Sequence, residues 1–115
     1  MIDIDPSKIG ELRGLIRKNN NVEVTERKVT HKNLDEIFYE HNVPEKFDFL
    51  SIDLDSYDYE VWKNLEKFKP QLVCIEVNQR AIGNFEIKKY TPKDKEWGGA
   101  TTGLMNKLAK KKGYD

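Results

Sequence analysis

The chain reads as an α/β protein, a three-layer sandwich on a mostly parallel sheet of about four strands. Three observations predict it. Apolar runs of strand length alternate with helical patterns; the third and fourth runs are nearly continuous, as in strands covered on both faces; and acidic or amide residues follow three of the four runs. With 115 residues the sequence makes one domain, 1–115, near the lower end of the size at which a single core folds alone.

Met1 to Asp5 alternates apolar and acidic residues in a short strand pattern. Pro6 and Ser7 then open a helix carrying Ile9, Leu12, Leu15 and Ile16 on one face, and Asn19, Asn20 and Asn21 stop it. Val22, Val24 and Val29 lie in a β-prone segment. Thr30 is placed to cap a second helix through Leu34, Ile37 and Phe38, ending near Asn42 and Pro44. Phe47 to Ile52 is the expected central strand. A helix bearing Val61, Trp62, Leu65 and Phe68 follows, Pro70 breaks it, and Gln71 to Val77 forms a fourth strand of the same doubly covered kind.

Cys74, the single cysteine, sits inside that fourth run. It excludes an intramolecular disulfide and predicts a buried structural thiol in a reducing, cytoplasmic setting. Residues 78–99 hold Pro92, several aromatics and no sustained period, an irregular excursion of a length tied to function or to disorder. Thr101 or Thr102 starts the last helix, with Leu104, Met105 and Leu108 inward. Lys107, Lys110, Lys111 and Lys112 complement the macrodipole at its C-terminal half, and Gly113 suits the C-cap.

The 20 basic and 20 acidic side chains cancel, so no overall field favours nucleic acid or an anionic membrane. No stretch approaches the ~18 apolar residues of a membrane span, and the opening residues lack a positively charged segment followed by an apolar one, so neither anchoring nor secretion is expected.

The acids at the strand ends carry the functional reading. Asp3 and Asp5 follow the first run, Asp53, Asp55 and Asp58 the third, and Glu76 and Asn78 the fourth. Parallel strands deliver these groups to one rim, the rim at which such sheets bind ligands. A carboxylate at the first tip suits both hydroxyls of a ribose diol; Asp3 is the first candidate and Asp5 the second, with Asp5 equally suited to cap the helix that begins at Pro6. Asp53, Asp55 and Glu76 offer oxygen ligands to a hard cation, but spacing alone is thin support, the glycine and distant glutamate of an EF-hand are absent, and no metal is assigned. Asp55 or Ser56 also reads as a cap for the helix from Tyr59 to Phe68. His31 and His41 have no partners at zinc spacing. Gly98 to Gly103 lacks the Gly-Lys-Ser/Thr of a phosphate loop and reads as the entry to a capped helix. Arg80, Phe85, Tyr90 and Trp97 either line a substrate pocket or pack the excursion on which they lie.

The string Phe47-Asp48-Phe49-Leu50-Ser51-Ile52-Asp53-Leu54-Asp55-Ser56-Tyr57-Asp58-Tyr59 resembles the FkbM-type S-adenosylmethionine-dependent methyltransferases, whose fourth sheet strand carries a similar Asp-x-Asp turn. Ile4-Asp5-Pro6, Ile75-Glu76-Val77-Asn78 and Leu104 to Tyr114 extend the resemblance over nearly the whole chain; the family has glycine where Ser56 stands. It implies a Rossmann-like fold in which these strands are the second to fifth of a seven-stranded sheet. Asp3, Asp5 and Asp53 then become the candidate contacts to S-adenosylmethionine, Asp53 and Glu76 the candidate catalytic residues, and Asp55, Asn78, Arg80 and Trp97 the contacts to the acceptor, a small molecule or glycan methylated on oxygen. It further implies a partial domain, without the first strand, its glycine-rich turn and the last two strands, and with weak or no catalysis of its own.

In the family order that first strand lies mid-sheet. Because unpaired backbone groups on buried strands cost ~1 kcal/mol or more each, the flanking strands are expected to close up or to take in a second chain, giving a homo-oligomer. Two other classes remain open at this point. One is a metal-dependent nucleotide-sugar glycosyltransferase-like domain, which also places Asp-x-Asp at a strand end. The other is a non-catalytic α/β interaction module.

Overall fold

The computed structural model describes residues 1–54, 57–77 and 99–115. Its residues fall into two units, Met1–Thr30 and His31–Asp115.

In the first unit β1 (Ile2–Asp3) and β2 (Thr25–Glu26) pair in parallel, Ile2 opposite Thr25 and Asp3 opposite Glu26. The β-prone stretch from Val22 to Val29 yields only these two strand residues, since β1 offers few backbone partners: the Thr25 N–H donates to the Met1 carbonyl and the Arg27 N–H to that of Asp3, each at 2.9 Å. The connecting helix α1 (Pro6–Ile16) starts where predicted. Asp5 stands in extended backbone as N-cap and its carboxylate accepts from the Ser7 N–H, while Pro6 presets φ at a position whose N–H has no helical partner. The expected apolar face is thinner than its pattern suggests: Ile9 is buried, Leu12 and Ile16 are half-buried, and Leu15 is 83% exposed.

The second unit contains α2 (Leu34–Glu40), β3 (Lys46–Ile52), α3 (Asp58–Asn64), β4 (Lys69–Ile75) and α4 (Thr102–Lys111). α2 begins later than a cap at Thr30 would have it; its N-cap is Asn33, which makes no side-chain cap bond, and the helix spans the buried trio Leu34, Ile37 and Phe38. It ends through Asn42 in the left-handed region, φ 54°, a conformation asparagine tolerates. The Asn42 N–H there donates to the Tyr39 carbonyl and that of Val43 to the Phe38 carbonyl. Phe38 meets Phe47 and Phe68 edge to face, with ring centroids 5.8 and 5.3 Å apart.

β3 and β4 are parallel and in register from Lys46 opposite Lys69 to Ile52 opposite Ile75. The expectation that both are covered on two faces is corrected. Leu50 and Ile52 are buried, but their neighbours on the opposite face, Phe49 and Leu72, stand opposite each other at 54% and 61% exposure. Cys74, opposite Ser51 on that same face, is exposed, not buried. A continuous apolar run shows that both faces bear apolar side chains; it does not show that both are covered.

α3 stops at Asn64 because Leu65 turns extended, so Phe68 is buried beyond the helix and not on it. Pro70, expected as a breaker, lies inside β4 opposite Phe47, at the strand's second residue. A proline near a strand's start gives up one N–H and keeps its carbonyl, which accepts from the Tyr114 hydroxyl at 2.7 Å. α4 is capped by Thr101, whose Oγ1 accepts from the Leu104 N–H, and it buries Met105 and Leu108. Gly113 closes it at φ 83°. At that end the Lys112 ammonium donates to the Leu65 carbonyl at 2.8 Å, and Tyr114 packs against Trp62.

The strands are parallel as predicted; among the described residues they form two sheets of two strands, β1 with β2 and β3 with β4, and the expected single sheet of about four is not confirmed.

Candidate functional site

The parallel register of β3 and β4 puts Ile52 beside Ile75, so the residues that leave the two strands, Asp53 and Glu76, emerge next to each other at one rim. The Glu76 N–H donates to the Ile52 carbonyl at 3.3 Å and extends the ladder by one bond past the last strand residue. Both carboxylates are exposed. Among the described residues of this unit, the register brings these two predicted rim groups together.

The turn after Asp53 is held from an unexpected side. The Leu54 N–H donates to the Asp58 carboxylate at 3.0 Å, and Asp58 is only 3% exposed. The N-cap of α3 is Tyr57, with no side-chain cap bond, and Asp58, in the first turn, reaches back to the strand tip; the cap expected from Asp55 or Ser56 falls outside the described residues. Nothing in the sequence marks this role, because an acid in the first turn of a helix is ordinary complementarity to the macrodipole. Asp55, Ser56, Asn78, Arg80, Phe85, Tyr90 and Trp97 lie outside the described residues.

In the first unit Asp3 is the last residue of β1, and its Oδ1 accepts from the Asp5 N–H at 2.9 Å. That hydrogen bond holds the Asp3 carboxyl below the usual carboxylate range against the opposing effect of desolvation, with Lys8 and the Ile4 backbone adding to the lowering. Asp3 therefore does take part in the helix entry, a use the sequence reading gave to Asp5 alone. Asp5, of its two open roles, fills the capping one.

Carboxylates at the C-terminal tips of parallel strands, with helices following the strands, define an α/β protein of the kind that binds ligands along that rim. The family model described as the methyltransferase FkbM domain matches residues 3–115, and the chain belongs to that family. No curated protein and no solved structure matches the chain. Among the described residues no helix is long and apolar enough to cross a membrane.

Proposed function

We propose that the domain to which this chain belongs transfers a methyl group from S-adenosylmethionine to an oxygen of a small molecule or glycan. The observation that carries the reading is the side-by-side emergence of Asp53 and Glu76 from parallel strands in a chain of the FkbM family. The donor set suits the cofactor. Asp3 Oδ1 accepts from the Asp5 N–H, and because a carboxylate's two oxygens carry about four acceptor sites, capacity remains for ribose hydroxyls. The exposed carboxylates of Asp53 and Glu76 suit a cationic sulfonium.

When bound, the cofactor supplies an electrophilic methyl group on that sulfonium. Asp53 or Glu76 would take the acceptor's hydroxyl proton, leaving the acceptor oxygen able to receive the methyl group. Asp5 stays with its helix and supports Asp3; Asp55, Asn78, Arg80 and Trp97, outside the described residues, are assigned to the acceptor. We place the protein in the cytoplasm as a homo-oligomer, a state favoured by the exposed pair Phe49 and Leu72.

Thermal unfolding of the full chain in three conditions tests this: S-adenosylmethionine, a nucleotide sugar with manganese, and neither. A ligand at a hundredfold excess over its dissociation constant stabilises by about 2.7 kcal/mol, a shift of several degrees. The midpoint rises with S-adenosylmethionine alone. A rise with the nucleotide sugar alone overturns the proposal in favour of glycosyl transfer, and an oligomer that responds to neither ligand favours an interaction module.

A further inference from the structure

We infer that Asp58 is a positioning residue for the rim: its buried carboxylate, fastened to the Leu54 amide, fixes the direction in which Asp53 leaves β3. The inference rests on the methyl-transfer reading above.

A carboxylate that is 3% exposed is costly to bury unless hydrogen bonds replace its water. Had Asp58 only to complement the start of α3, it would do so from the surface, as does Glu60 in the same turn, which is less buried. Asp58 instead turns inward and back across four residues to Leu54.

Two peptide planes flank Asp53. The one before it ends in the Ile52 carbonyl, which accepts from the Glu76 N–H at 3.3 Å. The one after it carries the Leu54 N–H, which donates to Asp58 at 3.0 Å. With both planes held, φ and ψ of Asp53 are held, and its side chain leaves the backbone in a set direction beside Glu76. The first plane is secured by the ladder that every parallel pair makes. The second is secured by one side chain, so the aim of Asp53 depends on Asp58.

The test compares the full-length wild-type chain with Asp58→Ala, Asp58→Asn and Val61→Ala. Val61 is buried in the same helix and makes no hydrogen bond to Leu54, so it reports what loss of packing alone does. S-adenosylmethionine affinity is measured by calorimetry, and the Leu54 amide is followed by nitrogen–proton correlation spectra. Asp58→Ala weakens binding about tenfold, the loss expected for one hydrogen bond to a charged group, and moves the Leu54 amide resonance. Asp58→Asn, whose amide oxygen still accepts from Leu54, restores most of both. Val61→Ala leaves the affinity within about twofold despite its lower stability.

Where Asp58→Ala fails to fold, Asp58→Glu replaces it: the charge stays, the acceptor moves by one methylene, and the affinity falls while the fold persists. Equal losses in Asp58→Ala and Val61→Ala, or no rescue by Asp58→Asn, overturn the positioning role while leaving the function standing. A wild-type chain that takes up no S-adenosylmethionine overturns the functional reading itself, and the inference with it.

Discussion

Phe38 is the joint between α2 and the sheet, and replacing it puts the packing to a quantitative test. It is 7% exposed and meets Phe47 and Phe68 edge to face, both at an interplanar angle of 87°. Edge-to-face pairs contribute about 0.5–1.5 kcal/mol each beyond the area they bury. Leucine at position 38 keeps most of the apolar volume and loses both ring contacts, so Phe38→Leu lowers the unfolding free energy by about 1–3 kcal/mol. The single pair with Phe68 is isolated by a cycle of Phe38→Leu, Phe68→Leu and the double variant, with an expected coupling of about 0.5–1.5 kcal/mol. Urea unfolding followed by tryptophan fluorescence reports it, because Trp62 is 4% exposed and belongs to the same unit. An unchanged denaturant slope assigns the change to stability. Coupling below about 0.3 kcal/mol, the scatter of independent sites, refutes the claim that these rings hold α2 in place.

Other consequences follow from single positions. Gly113→Ala costs about 1–2 kcal/mol in urea unfolding, because φ 83° strains any residue with a Cβ while the Lys69 ammonium 3.0 Å from that atom is a flexible end that moves aside. Thr101→Ala removes the acceptor for the Leu104 N–H and lowers stability by about 0.5–2 kcal/mol, whereas Thr101→Ser keeps most of it. Burial raises the Tyr114 phenol above its ordinary 10.0, so the folded state holds that proton more tightly than the unfolded one. Its contribution is complete below pH 10.0 and is lost as pH rises through the raised value; the stability of Tyr114→Phe therefore falls less steeply there than that of the wild type. The Asp3 carboxyl has the opposite sign: its lowered value stabilises above the ordinary 3.8 and the benefit disappears as acid protonates it, so carbon NMR of this carboxyl gives a midpoint below 3.8.

What was legible in the sequence is what depends on local pattern. The run ending at Ile52 and the run ending at Ile75 announce strands of one direction, and that alone predicts that Asp53 and Glu76 leave side by side. Thr101 and Gly113 announce the two ends of α4, and Asp5 with Pro6 the start of α1, because caps act within a few residues. What depends on distant neighbours was not legible. Cys74 sits in an apolar run yet is exposed, since cover for that face has to come from elsewhere in the fold. The valines from Val22 to Val29 favour strand, but a strand extends only as far as its partner, and β1 is short. Pro70 reads as a breaker from its own chemistry, whereas its place in β4 follows from register with Phe47 and from the Tyr114 hydroxyl on its carbonyl. Asp58 looked like one more acid after a strand; its importance arises from a bond that runs backwards from helix to strand tip.

The lone sulfur on the outer side of β3 and β4 has a practical consequence. Since the chain contains no second cysteine, a maleimide fluorophore attaches at one known point, across from Ser51 and two residues along the strands from the Phe49–Leu72 rung. Its emission colour and quenching rate then report, in real time and without any further engineering, when another surface settles over those two side chains.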